Sequence, residues 1–458
     1  MEKEIDPKMW LRTNREKVNN QWFEFLRFKS VGTDPAHLAD CQECASWLKR
    51  WLNEIGFDVE FLGSDNAPKV VFAVREGERD STAMLYGHYD VQPASVEDGW
   101  VSNPWEPSAR DGRIYARGAQ DNKGQVWASL QAIRACIEEG IALPNLKIVL
   151  DGQEESGSDE LIKIIESHPK LFSADVLLVG DTSMMEDRRP AIMAGLRGVS
   201  SISVRLDGAS YDLHSGMHGG VAPNPAMELA RIVAQMHNDD GSIAVEGFMD
   251  DVAPLVEEEH SLAMAEPFDE KDYQERIGVP PIGGQRGVAP QLRGSLMPTI
   301  EVNGFHSGYG GLGAKTIIPA TAEVKLSFRT VSGQTPEKCL AAVRRHFESR
   351  VKSGMRLTFS DSKSGASAFR VAIDSPMVMK ARKILSSMHP KGCAVKYEGG
   401  SIHVVGMLAN VCGGDAVLAG FGLEEDRIHA PNESYSFEQF EMGVEYTARF
   451  LAEIGEGL

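Results

Sequence analysis

Residues 84–124 constrain the chain most. A short apolar run at 83–86 stops at Gly87-His88-Tyr89-Asp90. After a spacer rich in Trp and Pro, the segment DGRIYARGAQDNKGQ places Asp121 just ahead of a helical pattern. A strand end and a helix start thus deliver an imidazole and carboxylates. A neutral imidazole with carboxylates suits Zn²⁺, and also Mn²⁺ or Co²⁺. These residues are expected to bind a pair of divalent cations, completed by later carboxylates and a late histidine.

The same arrangement recurs along the chain. Residues 1–57 read as helices, with Pro35 near a helix start. Strands are expected within 57–74 and at 83–86, 146–150 and 175–179. Between them, Val126, Leu130, Ile133 and Ile137 recur at helical spacing, which predicts an amphipathic helix over 124–139. Short continuous apolar strands alternating with helices imply a mostly parallel sheet covered by helices on both faces. In such α/β sheets, ligands gather outside the carboxyl ends of the strands. His88 follows one strand, Glu154 and Glu155 follow KIVLD, and Asp181 follows DVLLVG. His429, in DRIHAPNES after a strand at 416–419, is placed to close the cluster.

From about residue 195 the pattern changes. Residues 199–206, VSSISVRL, alternate as in an antiparallel sheet with one solvated face. A helix at 225–236, a loop rich in Pro, Gly and acids at 266–291, strands at 298–302 and 321–331, a helix at 336–352 and a strand at 355–360 follow. That order predicts an inserted ferredoxin-like α+β domain over 195–368. Residues 1–194 and 369–458 then form the catalytic, metal-binding domain, with a helix at 377–388. A chain of 458 residues accommodates two such domains.

Composition excludes other classes. The formal net charge of -19 argues against nucleic acid or an anionic membrane as partner. No stretch approaches the roughly 18 apolar residues of a membrane span, and the N-terminus lacks a signal-peptide core. Six scattered cysteines read as reduced thiols in a cytoplasm. Cys41 and Cys44 form a lone CxxC within a helical pattern, without the second pair a zinc site needs. GYGGLGAKT at 308–316 looks like a phosphate loop, but Ala314 breaks the spacing and a strand, not a helix, is expected next.

The residue types define the chemistry. One carboxylate bridging two metals about 3.5 Å apart is a standard two-metal arrangement. Asp90 is placed to hold the second ring nitrogen of His88. Of Glu154 and Glu155, one can bind metal while the other serves as general base toward a water whose pKa the metals lower.

The motifs GHYDVQP, RGAQDNKG, DGQEESGS and GDTS, in this order, resemble the M20 family of dinuclear zinc metallopeptidases. The resemblance spans nearly the whole chain and is strongest to the dipeptidase branch, the carnosinase-like and cytosolic nonspecific dipeptidases. It implies two Zn²⁺ ions, His88, Asp121 and Asp181 on one, Glu155 and His429 on the other, and Asp121 bridging. It implies Glu154 as general base, Asp90 as partner of His88, and amide hydrolysis of dipeptides or short peptides. The alternative within the family is an amidohydrolase acting on N-acyl, N-carbamoyl or N-succinyl amino acids.

The inserted domain would be a lid that also forms a homodimer. His214, in YDLHSGMHGG, would reach the partner subunit's site and stabilise the oxyanion, though by itself it reads as a turn histidine. Arg329, Thr316 and Ser401 match substrate-contacting positions, Arg329 for the substrate carboxylate. His403 stands where relatives carry Pro, which changes the pocket wall.

Overall fold

The computed structural model describes residues 6–360 and 365–454. Residues 1–5, where the expected N-terminal helices begin, lie outside the described residues, as do 361–364 and 455–458. The chain divides into two compact units. One comprises the described residues of Met1–Ala194, Val371–Lys396 and Val404–Leu458, the other those of Gly195–Arg370 and Tyr397–His403. The alternation of strands and helices alone would leave Tyr397–His403 with the first unit. Its hydrogen bonds explain its place: Arg197 donates from Nε to the Gly399 carbonyl at 3.0 Å and from its backbone N to that of Gly400 at 3.2 Å.

In the first unit a six-stranded sheet runs in the order Asp58–Leu62, Val70–Arg75, Pro144–Asp151, Arg79–His88, Val176–Val179, Asp415–Leu418. The last four strands are mutually parallel, Val70–Arg75 runs antiparallel to them, and Asp58–Leu62 pairs antiparallel with Val70–Arg75. Val176–Val179 is buried throughout, as a strand covered on both faces must be.

The helix Lys123–Glu139 departs from the amphipathic expectation. Every residue from Lys123 to Cys136 is buried. The strand Arg79–His88 packs against it, as do the helices Pro7–Arg27 and Phe437–Glu453. Neither flanking helix is visible in this helix's own periodicity, so the pattern understates its burial. Its Trp127 packs at a tilt in an aromatic cluster with Trp51 at 4.9 Å and Trp47 at 5.6 Å between centroids, and its indole donates to the Val18 carbonyl at 3.1 Å.

The second unit carries a four-stranded antiparallel sheet ordered Thr299–Ser307, Thr321–Thr330, Gly198–Asp207, Arg356–Ser360. Helices Pro225–Ala234 and Pro336–Glu348 complete the strand-helix-strand-strand-helix-strand order of a ferredoxin-like fold. Ile202, Val204, Leu229, Val324, Phe328 and Phe347 are among its core. The expected loop at 266–291 in fact contains the helix Glu270–Ile277, capped by Asp269, whose carboxylate accepts from the N–H of Lys271 and Asp272. This helix buries nothing, so it leaves no apolar period to read. No described helix is long and apolar enough to cross a membrane.

Trp127→Ala should cost about 3–5 kcal/mol in denaturant unfolding of the whole chain. A loss below about 1 kcal/mol, the scale of a surface change, would show that this helix is not the spine of the first unit.

Candidate metal centre

The parallel strands end at one sheet edge. His88 closes its strand in register with Asp151, and Tyr86 is in register with Val149 and Val179. Two residues past Val179 comes Asp181, and three past Asp151 begins the turn Glu154–Ser156. Gly87 lets the next helix approach His88: a Cβ there would lie 2.4 Å from Val126 Cγ2. That close approach sets Asp121 and Asn122, just before Lys123–Glu139, beside the imidazole.

Asp121 joins two histidines. Its Oδ1 lies 3.1 Å from His88 Nε2 and its Oδ2 lies 2.9 Å from His429 Nε2. His88 Nε2 also faces Asp181 Oδ2 at 3.6 Å, and His429 Nε2 faces Glu155 Oε2 at 3.2 Å. Two groups of potential ligand atoms result, each within 4.8 Å of one another: His88, Asp121 and Asp181, and Asp121, Glu155 and His429. Asp121 belongs to both.

The surrounding contacts hold these side chains. Asn122 donates from Nδ2 to Asp181 Oδ1 at 2.8 Å and accepts the His88 backbone N–H at 3.3 Å. Gln92 donates to Glu155 Oε2 at 2.7 Å. His88 Nδ1 lies 3.0 Å from the Asp90 carbonyl and 3.3 Å from its carboxylate. The same carboxylate accepts the backbone N–H groups of Glu154 and Glu155, each at 3.1 Å. Asp90 therefore fixes both the imidazole and the turn that presents the two glutamates. Gly32 makes room for it, since a Cβ there would meet Asp90 Oδ2 at 2.7 Å.

Electrostatics fits the donor set to cations. Burial opposes charge on His88, yet its hydrogen bonds to Asp121, Asp181 and Asp90 raise its pKa well above the usual range. His429 is pushed up to about 10 by hydrogen bonds to Asp121 and Glu155. Burial raises Asp90 and Asp181, while for Asp121 the two histidines outweigh burial and hold it low. Four carboxylates face two imidazoles, a set of oxygen and nitrogen atoms of the kind that suits divalent cations.

The remaining expected residues lie in the second unit, in two pairs. His214 ends the short strand Leu213–His214 opposite Ile317, and the Thr316 carbonyl accepts the Ser215 N–H at 3.0 Å. His214 is exposed, and its Nδ1 accepts the Gly216 N–H at 3.1 Å. Arg329 donates from Nη1 to Ser401 Oγ at 2.8 Å. Burial lowers the Arg329 pKa. His403 is half-buried two residues beyond Ser401.

Cys41 and Cys44 are free, buried thiols pushed up by burial to about 12 and about 11, and neither belongs to a ligand group. The loop between Thr299–Ser307 and Ile317–Ile318 leads into a strand, not a helix, as expected of a chance glycine run.

Sequence reasoning missed Glu433. Its carboxylate is fully buried and accepts from Arg117 and from three backbone N–H groups of the Asp121 loop. Burial pushes it up to about 7. Its signal was proximity in sequence, four residues after His429 in the same quoted motif.

The profile of peptidase family M20/M25/M40 matches residues 84–453. The chain is 31% identical over 391 residues to the Cys-Gly metallodipeptidase dug1 of Schizosaccharomyces pombe, covering 81% of this chain and 80% of that protein. The crystal structure of human carnosine dipeptidase 1 superposes with a TM-score of 0.84 at 25% identity, covering 98% of each chain. The M20 family metallo-carboxypeptidase Sso-CP2 from Sulfolobus solfataricus gives 0.85 at 27% identity, covering 95% of this chain and 98% of that one.

Asp90→Asn should lower bound cation or turnover about 10- to 100-fold, the usual loss when a partner of a metal-binding histidine is removed. Metal analysis of dialysed protein with unchanged circular dichroism checks this. Unchanged cation content and turnover would remove Asp90 from its supporting place.

Proposed function

The chain belongs to peptidase family M20/M25/M40, and from that membership we propose a metallodipeptidase that hydrolyses the amide bond of dipeptides and other short peptides. The observation that carries the reading is Asp121, shared between two triads of ligand atoms. Its two oxygens address different histidines, which is what a carboxylate between two divalent cations must do. His88, Asp121 and Asp181 would hold one cation, and Asp121, Glu155 and His429 the other. Zn²⁺ suits this nitrogen and oxygen set, as do Mn²⁺ and Co²⁺. When bound, such a pair polarises the scissile carbonyl and lowers the pKa of water toward about 7.

The side chains have separate tasks. Glu154, presented by a turn that Asp90 anchors, takes a proton from the attacking water and delivers it to the nitrogen of the leaving amine. His214 accepts the Gly216 N–H at Nδ1, so the neutral ring carries its proton on Nε2. That N–H is suited to stabilise an oxyanion. The reading places it in the partner subunit's site of a homodimer. Exposed Tyr211, Met217, Val221 and Leu312, near it in sequence or on the adjoining loop, support association through this unit. Arg329, oriented by Ser401, is suited to grip the substrate carboxylate in a bidentate pair, with Thr316 beside His214 as a further contact. Six free thiols support a reducing, cytoplasmic setting.

The test uses chelator-stripped protein reloaded with Zn²⁺ or Mn²⁺, assayed on dipeptides, tripeptides and N-acyl amino acids. Cleavage of dipeptides that disappears on chelation is expected. Cleavage of N-acyl amino acids alone would replace the substrate assignment, and no hydrolysis with either cation would end it. Glu154→Gln should keep its cations and lose turnover by at least about 100-fold, the lower range of general-base contributions. Turnover within tenfold of the native protein would take the base role from Glu154. His214→Ala should reduce kcat with cation content unchanged. A parallel fall in cation content would make it a ligand instead.

A further inference from the structure

We propose that Glu433 is a positioning residue that fixes Asp121 against His429, and thereby sets how tightly the centre holds its cations. The proposal deepens the dinuclear reading above and rests on it. Glu433 Oε2 accepts from Arg117 Nη1 and the Gly118 N–H, each at 2.9 Å. Its Oε1 accepts from the Gln120 and Asp121 N–H groups, each at 3.0 Å. An ionised carboxylate offers about four lone-pair sites, and these four donors occupy them. Glu433 is therefore no ligand itself, although it is acidic, buried and four residues from a proposed one.

What it binds is the loop that ends on the shared carboxylate. Residues 117–121 wrap around the Glu433 oxygens, so the Asp121 backbone is held at its own N–H. The other end of the device is the His429 loop. Asn432, next to Glu433, accepts the Val101 N–H at 2.8 Å and donates to the Gly99 carbonyl at 3.2 Å. One dipeptide, Asn432-Glu433, thus fastens the late loop to two early ones. The result is the 2.9 Å approach of Asp121 Oδ2 to His429 Nε2. Arg117 extends the fastening, with its guanidinium 5.3 Å from the Trp100 ring centre.

A carboxylate is required because all four contacts are donors. An amide would turn its NH₂ toward two N–H groups whichever way it faced. The chain path itself does not need the carboxylate: the Ala116 N–H donates to the Glu433 carbonyl at 3.2 Å, and Ser434–Ser436 pairs with Arg113–Tyr115 through backbone groups. Glu433→Gln is therefore expected to fold with a displaced Asp121.

Mn²⁺ is titrated by calorimetry into chelator-stripped full-length native protein, Glu433→Gln and Glu433→Asp, with circular dichroism of each stripped protein. Glu433→Gln should bind Mn²⁺ about 10- to 100-fold more weakly, as removal of such supporting contacts does. Excess Mn²⁺ should then restore dipeptide kcat, with KM within twofold. Glu433→Asp, which keeps the charge but withdraws it by one methylene, should fall between. An unchanged Mn²⁺ affinity in a folded variant would overturn the proposal. So would weakened binding whose lost kcat no excess of cation restores. Should the Gln variant not fold, the Asp variant is judged by the same two criteria. Native protein that binds no Mn²⁺ or Zn²⁺ would sink the dinuclear reading itself, a different result from variants that bind like the native chain.

Discussion

Asp121 sits between two imidazoles, one oxygen for each, and most of the first unit can be understood as holding it there. Its carboxylate lies at the junction of a loop and a helix start, beside the end of a parallel strand. None of these alone would bring an acid, a strand-end histidine and a histidine from some three hundred residues later within hydrogen-bond distance. The close packing of Lys123–Glu139 on the His88 strand, permitted by Gly87, sets one side. The four-donor nest around Glu433 sets the other.

This explains why so polar a centre is surrounded by so apolar a frame. Lys123, two residues from Asp121, is wholly buried, and its ammonium donates to the carbonyls of Phe25 and Phe28 near the end of the first helix. Burial lowers its pKa. The helix it opens is enclosed by two helices and the sheet, with Trp127 in the aromatic cluster. Donors held by a rigid, close-packed element keep their geometry with little entropy left to lose on binding a cation. The second unit is built differently. Its sheet is antiparallel with helices against it, and the side chains proposed for substrate stand in exposed or half-buried positions on it.

The strand ends were legible because a parallel strand buried on both faces writes an unbroken apolar run, and the residue after that run is where ligands collect. His88, Glu155 and Asp181 follow from that rule. The helix Glu270–Ile277 was not legible, since a charged helix that buries nothing has no period to detect. The full burial of Lys123–Cys136 was hidden for the opposite reason. Its own apolar spacing marks one face, while the helices covering the others come from the two ends of the chain. Glu433 offered only its place four residues after His429, because its partners are mostly backbone N–H groups, which carry no residue identity.

The sequence by itself determined where histidines and carboxylates attach to strand and helix ends, the two-part organisation, and through the motif set the family. These are local or ordered properties, readable one segment at a time. Only the tertiary structure decided that Asp121 faces both His88 and His429, that Asp90 serves an imidazole and a turn at once, and that Tyr397–His403 joins the second unit through Arg197. Those are distances between segments far apart in the chain. They are set by packing and by hydrogen bonds to backbone, neither of which one-dimensional spacing encodes.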